Sequence, residues 1–148
     1  MFDQFTENAR RALFFARKEA GNLGAPSIAN EHLLLGLLRQ DSGIEQAIPG
    51  HDGVRRIRER IEALSSKGIK LPDSVDMPMD ADCQRVFEEA ASVNPPLIGT
   101  EQLLLALLHQ QKCLAAQILV EQGFDVLKFR SHPAPLNPSD IEKSRNYV

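Results

Sequence analysis

A chain of 148 residues that is 43% apolar and 25% charged can bury a core without disulfide staples. Its 17 basic and 20 acidic side chains leave a formal charge of -3, which gives no electrostatic basis for gripping a nucleic-acid backbone across a broad surface. No segment approaches the length of a membrane span, and the opening MFDQFTENARR carries Asp and Glu where a secretory signal would be basic and then apolar, so a cytoplasmic protein is expected.

The first predicted element is an amphipathic helix: Phe2, Phe5, Ala9, Leu13, Ala16 and Ala20 recur at steps of three and four, while Glu7, Arg10, Arg11, Arg17 and Lys18 fall elsewhere. A second helix is predicted in Ile28–Leu38, where Asn30 offers a capping oxygen and Glu31 places an anion in the first turn, as the helix dipole favours. Its Leu residues point in several directions, which marks a helix buried on most sides. After a polar break at Gln40–Gly43 comes a short apolar segment, Ile44–Ile48, stopped by Pro49 and Gly50. Val54, Ile57, Ile61 and Leu64 then form the stripe of a fourth helix. Arg55, Arg56, Arg58, Glu59, Arg60 and Glu62 on its other face read as a solvated surface with i,i+4 ion pairs; a phosphate-binding patch is the sharper alternative, diluted by the carboxylates.

Residues 67–78 contain Gly68, Pro72 and Pro78, cannot continue a helix, and read as a linker. Beyond it the pattern restarts. Cys83, Val86, Phe87, Ala90 and Ala91 repeat the opening stripe, and Ile98–Leu108 matches Ile28–Leu38 at seven of eleven positions, with Thr100 and Glu101 in the places of Asn30 and Glu31. Leu114–Val120 supplies the next helix. Phe124–Arg130, after Gly123, begins an eighth that is cut short ahead of Pro133, Pro135 and Pro138. The fold class expected is therefore all-α, built from two copies of one unit. Residues 131–148 are expected to be a mobile tail, with one capped turn at Ser139–Ser144.

Catalytic signals are missing. No G-x-x-x-x-G-K-[ST] run is present to cradle nucleotide phosphates, and His32, His51, His109 and His132 share no metal-ligand spacing. Cys83 and Cys113 fall on apolar stripes, where a thiolate would be suppressed. No catalytic residue, metal or cofactor is assigned, and dipole compensation is an adequate role for Glu31 and Glu101.

The phrases FTENARRALFFARKEA and NEHLLLGLL resemble the N-terminal domain of the Clp unfoldase ATPases, particularly the ClpC type. That family opens M-F-x-x-F-T-x-x-A and carries I-G-T-E-H-[IL]-L-L-G-L twice; Ala29 and Asn30 depart from it in the first copy, and Gln102 in the second. The resemblance covers about residues 1–130. It implies a pseudo-twofold bundle of two four-helix repeats, about 1–66 and 79–130, joined by the 67–78 linker, with the eighth helix truncated. It also implies a non-catalytic module whose partners are substrate proteins or adaptors; the alternative is an accessory protein that docks on a Clp ATPase or peptidase subunit and modulates its assembly. In ClpC-type domains each half can hold a phosphorylated arginine between a Thr at the start of its first helix and the Glu of the signature. Residue by residue, the resemblance assigns Thr6 and Glu31 to the first site. Glu101 is kept in the second, but Asp80 stands in the Thr position and would repel a phosphate, so that site is expected to be lost. The resemblance also implies a third helix shortened at Pro49–Gly50 and a fifth about one turn shorter than usual. With no ATPase motif and a proline-bearing tail unlike the family's linker, a small stand-alone relative is expected.

Overall fold

The computed structural model describes residues 4–65, 68–72, 76–93 and 97–130, which form eight helices. They are α1 (Glu7–Asn22), α2 (Asn30–Gln40), α3 (Ser42–Gln46), α4 (Gly53–Leu64), α5 (Ala81–Val93), α6 (Thr100–His109), α7 (Leu114–Glu121) and α8 (Val126–Arg130). The two isolated parallel bridges, Phe5 with Ile98 and Ile28 with Met79, are the only extended pairings among the described residues. The expected tail and its capped turn lie outside them. No single described helix is long and apolar enough to cross a membrane.

The Leu runs of α2 and α6 lie at the centre, with Leu33, Leu34, Leu35, Leu37, Leu103, Leu104 and Leu107 all buried. Alanines on one face of α1 (Ala9, Ala12, Ala16 and Ala20) let α2 approach closely. The approach is so tight that a Cβ at Gly36 would collide with the carbonyl oxygen of Ala12 and lie 2.8 Å from the amide nitrogen of Ala16. Phe5 and Phe87, one from each repeat, pack with ring centroids 5.3 Å apart and close the core between the helix starts. Residues 68–72 run back along α1, with Gly68 N donating to Leu23 O and Leu71 N donating to Gly21 O.

Helix caps differ from expectation. Asn30 and Thr100 are not the capping residues; they are the first helical residues and are buried, while Ala29 and Gly99 take the extended cap position. Neither Ala nor Gly has a side-chain oxygen, so the reverse contact does the capping. His32 Nδ1 accepts from Ala29 N at 2.9 Å, and Gln102 Oε1 accepts from Gly99 N at 2.8 Å. Thr100 is used differently: its hydroxyl donates to Asp41 Oδ2 at 2.8 Å, and Asp41 Oδ1 accepts from Gly43 N to cap α3. That buried bond ties the start of α6 to the other repeat. The amide atoms of Asn30, the counterpart of Thr100, are buried with no hydrogen-bond partner among the described residues.

The arginine face of α4 is likewise not a simple solvated surface. Arg55 does lie 3.7 Å from Glu59, one turn on. Arg56 instead donates to Pro49 O, and Arg60 forks onto Glu121 of α7 at 2.7 and 3.3 Å. Arg58 grips Glu19 with both terminal nitrogens, at 2.5 and 3.1 Å. Glu19 is only 3% exposed, because it follows Ala12 and Ala16 at helical spacing on the face of α1 turned to the core. A carboxylate there needs cations, and Arg39 supplies a second at 3.4 Å.

Candidate functional site

Two helix starts meet two signature starts, and they meet crosswise. Thr6 caps α1, with its buried Oγ1 accepting from Ala9 N at 3.1 Å. Just before it, Ile98 N donates to Gln4 O at 2.8 Å and Thr6 N donates to Ile98 O at 2.9 Å. A Cβ on the next residue, Gly99, would stand 3.7 Å from Thr6 Oγ1. Thr6 is thus joined to the segment that leads into Glu101. In the other repeat Asp80 caps α5 through Cys83 N, at 2.8 Å, while Asp80 N donates to Ile28 O at 2.9 Å. Asp80 is joined to the segment that leads into Glu31.

Each lead-in to a first helix pairs with the Ile of the opposite signature rather than its own, so the segment that ends in Thr6 lies beside the one that leads into Glu101, and the segment that ends in Asp80 lies beside the one that leads into Glu31. The Thr6 hydroxyl oxygen serves the α1 cap, which leaves its proton as the available donor.

The surroundings of Glu101 and Glu31 differ. At the first, Glu101 sits in the first turn of α6 with its side chain 26% exposed, and Arg130 Nε lies 3.7 Å from its Oε1. At the second, the charges of Glu31 and Asp80 both act on His32 and Cys83. Glu31 has no hydrogen bond or ion pair among the described residues. Burial, reinforced by those carboxylates, pushes the Cys83 thiol up to about 12, so it stays protonated at neutral pH. Cys113 is half-buried, packs against the core and caps α7, its Sγ accepting from Ala116 N at 3.4 Å. Among the described residues no three His, Cys, Asp or Glu side chains converge to hold a metal ion.

Burial holds the His32 imidazole below its ordinary value of 6.5, against the opposing pull of Glu31, Asp80 and Glu19. The neutral ring is the form that accepts from Ala29 N, so protonation would cost the cap. The unfolded chain takes up this proton at higher pH than the folded one. This contribution is therefore fully present above pH 6.5 and is lost as pH falls below it. His32→Gln copies the acceptor that Gln102 uses in the second repeat. The variant is expected to flatten the decline in melting temperature between about pH 7 and pH 5; a decline as steep as in the parent would assign it to other groups.

A family model described as the Clp repeat (R) N-terminal domain matches residues 4–122. The chain is 33% identical over 136 residues to the negative regulator of genetic competence ClpC/MecB of Bacillus subtilis, covering 88% of this chain and 16% of that protein. It is 34% identical to the chaperone protein ClpB of Oceanobacillus iheyensis, covering 88% of this chain and 17% of that one. It thus spans about a sixth of the length of these relatives. In fold it is similar to the crystal structure of the N-terminal domain of the caseinolytic protease associated chaperone ClpD from Arabidopsis thaliana, with a TM-score of 0.66, 24% identity, and 88% and 92% of the two chains covered.

Proposed function

The chain belongs to the Clp repeat (R) N-terminal domain family, and on that premise we propose that it is a non-catalytic recognition module which takes up substrate proteins or adaptors for a Clp unfolding and degradation machine. Its competent cleft is the one formed by Thr6 and Glu101, and the ligand is a phosphorylated arginine side chain. The supporting observation is the crosswise junction, which sets a helix start and a hydroxyl donor beside the turn that carries Glu101. A helix N-terminus with a hydroxyl suits the phosphate, and a carboxylate suits the guanidinium. Asp80 puts a carboxylate at the start of α5, where Thr6 puts a hydroxyl at the start of α1, and so opposes the same ligand.

Calorimetric titration with phosphoarginine tests this reading. Glu101→Ala is expected to weaken binding about tenfold or more, the equivalent of one charge-assisted hydrogen-bond pair. Glu31→Ala should leave it unchanged. Asp80→Thr should raise the stoichiometry toward a second site. Loss on Glu31→Ala with Glu101→Ala silent would restore the alternative pairing, and absence of binding to the parent chain would remove the phosphoarginine ligand.

A further inference from the structure

The two repeats fill one equivalent position differently. In the first, Asp41 precedes α3 and has two roles: its Oδ1 accepts from Gly43 N at 2.9 Å, and its Oδ2 accepts from the buried Thr100 hydroxyl at 2.8 Å. Cys113 precedes α7 in the same way and fills only the capping role, its Sγ accepting from Ala116 N at 3.4 Å. The second role has no counterpart. Asn30, which matches Thr100 at the start of α2, is 3% exposed, and neither polar atom of its carboxamide has a hydrogen-bond partner among the described residues.

The internal repeat turns Asn30 toward Cys113 as it turns Thr100 toward Asp41. Ile28, two residues before Asn30, bridges Met79 on the approach to α5, α2 packs against α7, and Asp82 of α5 lines one cavity with Cys113. A thiol offers one acceptor atom where a carboxyl offers two, so Sγ caps α7 and leaves the buried amide unsatisfied. One further oxygen on the sulfur would supply the missing acceptor. Cys113 is half-buried and opens on that cavity, which measures about 480 Å³. Arg85 and His109 in its walls are paired with Asp82 and Glu89, so the cavity offers an approach to the sulfur rather than free charge. Cys83, by contrast, is fully buried and stays protonated, so it neither competes for an oxidant nor attacks an oxidised Cys113.

We propose that Cys113 is a modification site at which hydrogen peroxide makes a sulfenic acid, whose oxygen accepts from Asn30 Nδ2 in the role that Asp41 Oδ2 plays for Thr100. The sulfur attacks one peroxide oxygen: an S–O bond forms, the O–O bond breaks, and the second oxygen leaves as water with the thiol proton. Sulfur is oxidised by two electrons and the peroxide is reduced by two. Sγ keeps its bond from Ala116 N, so the cap survives. The start of α2 is then tied to α7 of the other repeat, a second cross-link beside the one between Thr100 and Asp41.

Treating the full chain with hydrogen peroxide, trapping with dimedone and locating the label by mass spectrometry tests the chemistry. The label is expected on Cys113 and not on Cys83. Amide hydrogen exchange tests the contact: at the starts of α2 and α7 it is expected to slow about fivefold on oxidation, the equivalent of one hydrogen bond, and Asn30→Ala should abolish the slowing. Cys113→Asp supplies both acceptor oxygens without an oxidant. It should melt higher than Cys113→Ser, whose hydroxyl serves the cap alone, and the difference should shrink when Asn30→Ala is added to both. No label on Cys113, exchange unchanged or faster on oxidation, or a slowing that survives Asn30→Ala would each overturn the proposal, the last by showing that Asn30 meets a buried water instead.

Discussion

Gly36→Ala is expected to lower the stability of the fold by about 2 kcal/mol, although alanine is the better helix former. The exchange of Gly for Ala in a helix interior is worth about 1 kcal/mol in favour of Ala. Overpacking opposes it at about 3 kcal/mol or more, because the added methyl meets the Ala12 carbonyl and the Ala16 amide, which are backbone and cannot rotate away. The helices must separate along their whole length, and the alanine stripe of α1 leaves no side chain to trim. A fall in melting temperature of roughly 4–8 °C is the expected reading. Ala106 stands at the matching place in α6 and carries the same methyl without conflict, so the tight approach belongs to the first repeat alone. A melting temperature equal to or above the parent's would show that α1 and α2 slide apart at no cost.

Arg58→Ala should be about as damaging, and for an electrostatic reason. It strips the two-pronged partner from a carboxylate that is 3% exposed and leaves it with the 3.4 Å contact to Arg39. Breaking a buried pair on one side costs about 3–5 kcal/mol. The side chain of Arg58 is 35% exposed and Arg39 remains, so about 2–3 kcal/mol is expected here. The double variant Glu19→Leu/Arg58→Met should recover most of the loss, since apolar replacement of both partners removes the stranded charge. A double variant that melts no higher than Arg58→Ala would show that packing of the arginine stem, rather than its charge, carries the effect.

The helices of both repeats were legible because their signals are local. Apolar spacing in α1 and α5, the matching Leu runs and the stop at Pro49–Gly50 each act within a few residues. What could not be read was through-space. An offset of seventy residues aligns Glu31 with Glu101, but it does not say that the lead-in at Phe5 bridges Ile98 and not Ile28. For that reason the resemblance names all four residues, but the crosswise adjacency of the segments that carry them is visible only in the fold. The caps failed on a finer point: Asn30 and Thr100 have the right chemistry, yet lie one residue inside helices closed by His32 and Gln102. Glu19 did carry a signal, since it continues the spacing of Ala12 and Ala16, but a carboxylate on an apolar stripe is read past until its arginines are found on α4 and α2.

The contact between Arg130 and Glu101 sets a threshold for any ligand of that cleft. Arg130 belongs to the same chain and is anchored by the buried Phe129, so it faces the carboxylate at an effective concentration in the millimolar range. An incoming unmodified arginine offers Glu101 nothing that Arg130 does not already provide, and it arrives at far lower concentration. A phosphorylated one brings a second handle for the start of α1. On the proposed reading, the chain's own arginine acts as an internal competitor that lowers the affinity of marked and unmarked arginines alike, so discrimination between them rests on the phosphate's contacts at the start of α1.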